Sequence, residues 1–211
     1  MNSSSLFPSS YIPIIPIVCK PVTGRLELII GPMFASKSTE LIRIASRYKS
    51  IGKKIMAINH TYNNRYGTTN ISSHDHNILN DCIVATNLAE IIENADNRRQ
   101  FEEADVIVIE ELQFFADAYQ NIIEWVDQYH KIIIAAGLSG DYRRESFGDI
   151  YRLIPHAEDI TKLSAYCSIC RDGTLGHFTQ RFTEESDRTL VGSSDKYRAV
   201  CRYHFNTSGN N

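Results

Sequence analysis

The chain has 211 residues, 43% of them hydrophobic and 22% charged, which suffices for one substantial domain plus a small appendage. A formal net charge of −3 and a pI near 6.2 provide no basic field for a polyanion, so a nucleic-acid partner is not expected. No apolar run approaches the roughly 18 residues of a membrane-crossing helix, and no membrane partner is expected either.

Residues 1–24 read as a flexible leader. Pro13, Pro16 and Pro21 interrupt any helix, and the stretch has neither a basic n-region nor a continuous apolar h-region. Organised structure is expected from Leu26. Leu26 to Ile30 is a short apolar run ending at Gly31-Pro32, as a buried strand ends at a loop. A helical pattern then runs from about Glu40 to Ser50, closed by Gly52. Lys54 to Asn59 follows as a second strand. Residues 60–80, rich in Asn, Thr, His and Tyr, read as one long loop, and His74-Asp75-His76 as loop residues rather than metal ligands. Ala104–Ile109 and Ile132–Ala136 read as further buried strands, with a helix over Ala116–His130 between them. Strands alternating with helices imply an α/β fold with a parallel sheet covered on both faces.

Two elements of this pattern carry chemistry. Gly31-x-x-x-x-Ser36-Lys37-Ser38 stands between strand and helix, where a phosphate-binding loop of the form G-x-x-x-x-G-K-[ST] belongs. In such a loop backbone N–H groups wrap the phosphates, the lysine reaches the β/γ-phosphates, and the hydroxyl binds Mg²⁺. Ser36 departs from the second glycine, and a positive φ there would strain it. Val106 to Ile109 delivers Glu110 and Glu111 to the carboxyl end of a strand, where open α/β sheets bind ligands. One carboxylate is placed to hold Mg²⁺ through water and the other to accept a hydroxyl proton. A solvated acidic helix N-terminus is the competing reading. Lys37 and Ser38, expected on a neighbouring strand, favour the first.

Near the C-terminus Cys167-x-x-Cys170 and Cys201-x-x-His204 form two ligand pairs separated by thirty residues. Together they match a closed tetrahedral zinc site with no position for a reacting water, hence a structural one. A segment with too little apolar material for its own core gains a metal to fold around. The other two cysteines, Cys19 and Cys82, show no pairing pattern, which favours a reducing compartment and a cytoplasmic location.

GPMFASKSTELIR, IEELQFF, Gly140-Asp141-Tyr142-Arg143-Arg144 to Phe147-Gly148, and Cys167-x-x-Cys170 with Ser194 to Arg202 together resemble the thymidine kinases of the cellular and poxviral type. The resemblance runs in order from about Leu26 to Phe205. It implies a P-loop, RecA-like core over 25–163, a zinc-binding lasso lobe over 164–205, and a flexible tail over 206–211. Implied activity is transfer of the ATP γ-phosphate to the 5′-hydroxyl of thymidine, in a homotetramer inhibited by dTTP.

The resemblance also implies residue roles. Gly31, Pro32, Met33, Phe34, Ala35, Ser36, Lys37, Ser38 and Thr39 form the ATP loop, with Arg65, Glu110 and Gln113 completing the nucleotide and Mg²⁺ site. Glu111 matches the general base. Met33, Phe114, Leu138, Tyr142 and Tyr197 match the walls of the base pocket, while Thr179, Val191 and Gly192 match the lobe segment that meets the base edge. Cys167, Cys170, Cys201 and His204 match the zinc ligands. The sequence departs from the family at Ser36 and Glu110, and also at Leu112 and Ser139, where glycine and aspartate are usual. An alternative is therefore a nucleotide- or nucleoside-binding protein of the same fold with reduced or lost transfer activity. A second, a nucleic-acid-binding zinc ribbon on an ATPase, is weakened by acids at Asp172, Glu184, Glu185, Asp187 and Asp195 that nearly balance the arginines and lysine of 167–204.

Overall fold

The structure is a computed structural model that describes residues 23–62, 70–72, 78–183, 192 and 194–207. The expected leader lies almost wholly outside the described residues, as do Arg65, Val191 and the His74–His76 stretch.

The chain opens with β1 (Arg25–Gly31), α1 (Lys37–Ser50) and β2 (Ile55–His60). The stretch expected as one loop contains a small antiparallel pair, β3 (Ile71–Ser72) and β4 (Ile78–Leu79). After it come β5 (Ile83–Ala85), α2 (Ala89–Glu93), α3 (Ala95–Glu103) and β6 (Val106–Ile109). The core is completed by α4 (Ala118–Asp127), β7 (Ile132–Leu138), α5 (Ile150–Leu153) and β8 (Asp159–Lys162). Helix α4 is shorter at both ends than the apolar pattern suggests. At its N-terminal side Asp117 is engaged elsewhere, accepting from the Leu88 and Ala89 amides at 3.0 and 2.9 Å and so capping α2. Beyond its C-terminal end His130 takes φ 53°, a left-handed turn that feeds directly into β7.

Six strands make one sheet in the order β5-β2-β6-β7-β1-β8, with every pairing parallel. The strand bearing the acids is therefore not beside β1, as the sequence reading had it; β7 lies between them. Alternation splits the core across the two faces. Ile107 and Ile109 point with Leu28, Ile58 and Ile133 toward a cluster that includes Phe101, Phe115, Ile122 and Trp125 from the helical side. Val106 and Val108 point the other way with Ile29, Ile134 and Ala136, against Leu41, Ile42, Ile44 and Ala45 of α1. Both faces of the four-residue β6 are thus fully buried, which explains its continuous apolar run. Among the described residues no helix is long and apolar enough to cross a membrane.

The remaining chain forms short pieces: β9 (Ala165–Tyr166) antiparallel to β10 (Leu175–Gly176), β11 (Phe178–Arg181) antiparallel to β12 (Tyr197–Val200), then α6 (Arg202–Thr207). Helix α6 runs two residues into the stretch expected as a tail. Its apolar filling is small: Cys167, Val200 and Phe205 are buried together, with Ile169 and Phe178 against them. Arg144, reaching from the loop after β7, lies 4.3 Å over the Phe205 ring and ties this lobe to the sheet.

Candidate active site

Register brings the chemistry to one edge. Gly31 at the end of β1 pairs with Leu138 at the end of β7, and Ile109 at the end of β6 pairs with Ala135. All three strands run parallel, so the segments that follow β1 and β6 emerge on the same side, around the tip of β7. Gly31 is required by packing, since a Cβ there would stand 2.7 Å from the Leu163 carbonyl oxygen. From it the loop turns through Phe34 (φ 65°) and Ser36 (φ 58°, ψ 32°) into α1. Ser36 therefore adopts the left-handed conformation that the missing glycine would have taken without strain, at a cost of about 1–2 kcal/mol. Lys37 Nζ donates to the Pro32 carbonyl at 2.8 Å, holding the ammonium over the loop. The N-terminus of the fourteen-residue α1 adds its partial positive charge at the same place.

Opposite the loop, Glu110 is buried and accepts a hydrogen bond from Ser38 Oγ at 2.8 Å. This hydroxyl and carboxylate are paired hard oxygen donors of the kind that suit a Mg²⁺ ion. The solvated helix N-terminus reading of the acids fails here, because Glu110 is only 4% exposed. Glu111 follows with φ 54° and ψ 42°, another left-handed residue, which re-aims the chain into the one-turn 3₁₀ segment Leu112–Phe114. That turn brings the buried Gln113 amide back to donate to the Glu111 carboxylate.

These groups line a single cleft, open at its mouth. Met33, Phe34, Ala35, Ser36, Lys37, Ser38 and Thr39 form one side, and Glu110, Glu111 and Gln113 the floor. Phe114, Leu138, Tyr142, Thr179 and Tyr197 supply the remaining predicted wall. Gly31 and Pro32 are buried and do not line the cleft. Gly192 backs onto Lys196, where a Cβ would approach Cδ to 2.7 Å, and does not line the cleft. The cleft is apolar and aromatic on one flank and charged on the other, the make-up of a site for a planar group joined to an ionic one.

Several residues to which the sequence assigned no role contribute. Asp141 and Phe147 line the cleft, and Phe147 meets Phe114 edge-on at 5.6 Å. The buried Arg181 stacks 3.9 Å from the Tyr142 ring and donates to the Tyr197 hydroxyl at 2.6 Å, fixing two walls at once. Behind Phe114 lies His60, whose imidazole burial pushes below its ordinary pKa, so that it is neutral at pH 7. The stretch Gly140–Gly148 stood out in the sequence, yet only Tyr142 of it was assigned a place. Loop and lobe are joined directly: the Met33 amide donates to Thr179 Oγ1 at 2.9 Å, and Ala35 packs on Ala165 and Ala199. The two departures at Leu112 and Ser139 fall outside the cleft lining. Leu112 is buried in the main core, while Ser139 is exposed and donates its amide to Gly31 O at 3.2 Å.

The four candidate C-terminal ligands converge. His204 Nδ1 stands 3.5, 3.3 and 3.4 Å from the sulfurs of Cys167, Cys170 and Cys201, and the last two sulfurs are 3.9 Å apart. A tetrahedral zinc with usual bond lengths has nitrogen–sulfur edges of about 3.6 Å and sulfur–sulfur edges of about 3.8 Å. Arg171, with φ 55°, turns the chain out of the first ligand pair.

A model of the thymidine kinase family matches residues 24–205. Over 183 residues the chain is 39% identical to the thymidine kinase of Myxoma virus (strain Uriarra), a match covering 85% of this chain and 94% of the viral one. It is 38% identical over 179 residues to the thymidine kinase of Vaccinia virus (strain Western Reserve), covering 85% and 95%. Against the thymidine kinase of Oryza sativa subsp. japonica it is 36% identical over 183 residues, covering 86% of this chain and 66% of the plant protein. With a family match over most of its length and the cleft just described, the chain belongs to the thymidine kinase family.

Proposed function

We propose that the protein transfers the γ-phosphoryl group of ATP to the 5′-hydroxyl of thymidine, giving dTMP and ADP. The observation that carries this reading is the position of Glu111, between a phosphate loop on one side and an aromatic flank on the other. ATP phosphates lie along Met33–Thr39, drawn by Lys37 and the α1 N-terminus. The pyrimidine stacks among Phe114, Tyr142, Phe147 and Tyr197, with Met33 and Leu138 closing its edges. Val191 is carried over as a base-edge contact and Arg65 as a phosphate ligand. Glu111 takes the 5′-hydroxyl proton as that oxygen bonds to the γ-phosphorus and the bond to the β-phosphate bridging oxygen breaks. Most of the rate enhancement then comes from positioning and charge neutralisation.

A Mg²⁺ ion would be held by Ser38 and Glu110, and supplies positive charge that offsets the charge on the β- and γ-phosphate oxygens. Glu110 already reaches Ser38 Oγ despite its extra methylene relative to aspartate, so that departure keeps the ligand pair together. Ser36 keeps the loop's left-handed turn. These two geometries favour an active enzyme over a non-transferring relative. A zinc ion held by Cys167, Cys170, Cys201 and His204 would supply cross-linking only, pinning the two ends of the 171–200 segment so that Thr179 and Tyr197 are presented to the nucleoside.

Four outcomes are expected. Glu111→Gln lowers kcat at least 100-fold while KM for ATP changes less than threefold, measured by steady-state dTMP formation; a variant within fivefold of wild type removes Glu111 as the base. Ser36→Gly raises unfolding free energy by about 0.5–1 kcal/mol in urea titrations, because relief of left-handed strain exceeds the added freedom of the unfolded chain. A loss of stability would show that contacts of the serine outweigh its strain. Chelation of zinc weakens thymidine binding, followed by calorimetry, at chelator levels where the sheet remains folded by circular dichroism. Coincident loss of both would mean that lobe and sheet form one cooperative unit. The family resemblance extends the proposal to a homotetramer inhibited by dTTP, checked by light scattering and a dTTP titration; a monomer insensitive to dTTP contradicts it.

A further inference from the structure

Gln113 is almost fully buried, and both ends of its amide are held. Its Oε1 accepts from the Leu138 backbone amide at 3.0 Å, and its Nε2 donates to Glu111 Oε2 at 2.5 Å. Neither partner can exchange roles. A backbone N–H only donates and an ionised carboxylate only accepts, so rotating the amide by half a turn would create two repulsive contacts in place of two hydrogen bonds. The amide orientation is thus determined by β7 and imposed on Glu111.

The surroundings hold the residue as tightly as its hydrogen bonds do. Gly148, at φ 63°, lies against the Gln113 backbone; a Cβ there would come within 2.4 Å of its carbonyl oxygen. Gly137 lies against the side chain, and a Cβ there would stand 2.9 Å from Oε1. The Phe114 amide donates to Glu111 O at 3.1 Å, closing the turn that carries Gln113 back to the carboxylate. Glu111 itself is only partly buried and sits at a left-handed position, where its side chain has solvent on one side. A carboxylate so placed samples several rotamers unless a partner selects one.

We infer that Gln113 is a positioning residue for phosphoryl transfer: it locks the Glu111 carboxylate against the end of β7, in the rotamer that faces the cleft, rather than contacting nucleotide itself. The inference rests on Glu111 being the base. It predicts a loss expressed in kcat and transmitted through Glu111, because the interaction orients the proton acceptor and leaves the substrate-binding walls untouched.

The test is a double-mutant cycle in the full-length protein. Gln113→Met keeps the side-chain volume and removes both hydrogen bonds. It is expected to lower kcat 10- to 100-fold with KM for ATP and for thymidine within twofold. In the Glu111→Gln background, the same change is expected to cost less than twofold further. Gln113→Asn keeps an amide but falls one methylene short, and is expected to lose kcat likewise; it replaces the methionine variant if circular dichroism shows the latter unfolded. An increase in KM for ATP at unchanged kcat would overturn the positioning role in favour of direct nucleotide binding. Equal losses in both backgrounds would also overturn it, as would an indifferent Gln113→Met beside an inactive Glu111→Gln. A Glu111→Gln variant that retains activity would instead fail the base assignment itself, and this role with it.

Discussion

Everything in the cleft depends on three parallel strands ending at one edge. Because β6, β7 and β1 are adjacent and run the same way, the turns after β1 and β6 are brought face to face across the tip of β7. The phosphate loop and the acid pair, more than seventy residues apart in sequence, are then joined by the hydrogen bond from Ser38 to Glu110. Burial of β6 on both faces makes this placement rigid, since any slip of the strand would expose Val106 and Val108 or Ile107 and Ile109. A general base at the end of such a strand inherits that rigidity.

The geometry at the strand ends is strained, and the strain is local. Phe34, Ser36 and Glu111 all take positive φ within the same cleft. Each left-handed residue redirects a chain segment sharply where a helix or turn must begin within a residue or two of a strand. The surrounding sheet core is large enough to hold these conformations, whereas the small lobe carrying the Cys/His cluster has far less apolar packing. Its packing relies on a handful of side chains around Phe205, on the Arg144 contact, and on the convergence of Cys167, Cys170, Cys201 and His204. Phosphate loop and lobe communicate through Met33 and Thr179, so the lobe's order bears directly on the loop.

Much of this was legible in the sequence, for identifiable reasons. The strands β6 and β7 are buried on both faces and leave continuous apolar runs, and the phosphate loop and Cys/His pairs are defined by close spacing. Elements that escaped were short or lacked such a pattern. Strand β8, Asp-Ile-Thr-Lys, is an edge strand with mostly exposed side chains, and α2 spans only five residues and depends on a cap from the distant Asp117. The strand order itself required tertiary information, which is why β7 was not expected between the two chemical segments. Phe147 and Arg181 reach the site by packing against Phe114 and Tyr142, contacts that no local spacing encodes. The consequence of Ser36 for backbone conformation, by contrast, was readable in advance, because only glycine adopts that turn freely.

The central claim is that one cleft binds both substrates and joins them at the 5′-oxygen. Incubating the purified protein with ATP, Mg²⁺ and a panel of deoxynucleosides, and following products by ³¹P NMR, tests this most directly. The account predicts dTMP and ADP in equal amounts from thymidine, abolished by Lys37→Ala. ATP hydrolysis without a nucleotide monophosphate product, or no turnover above the Lys37→Ala control, would contradict it.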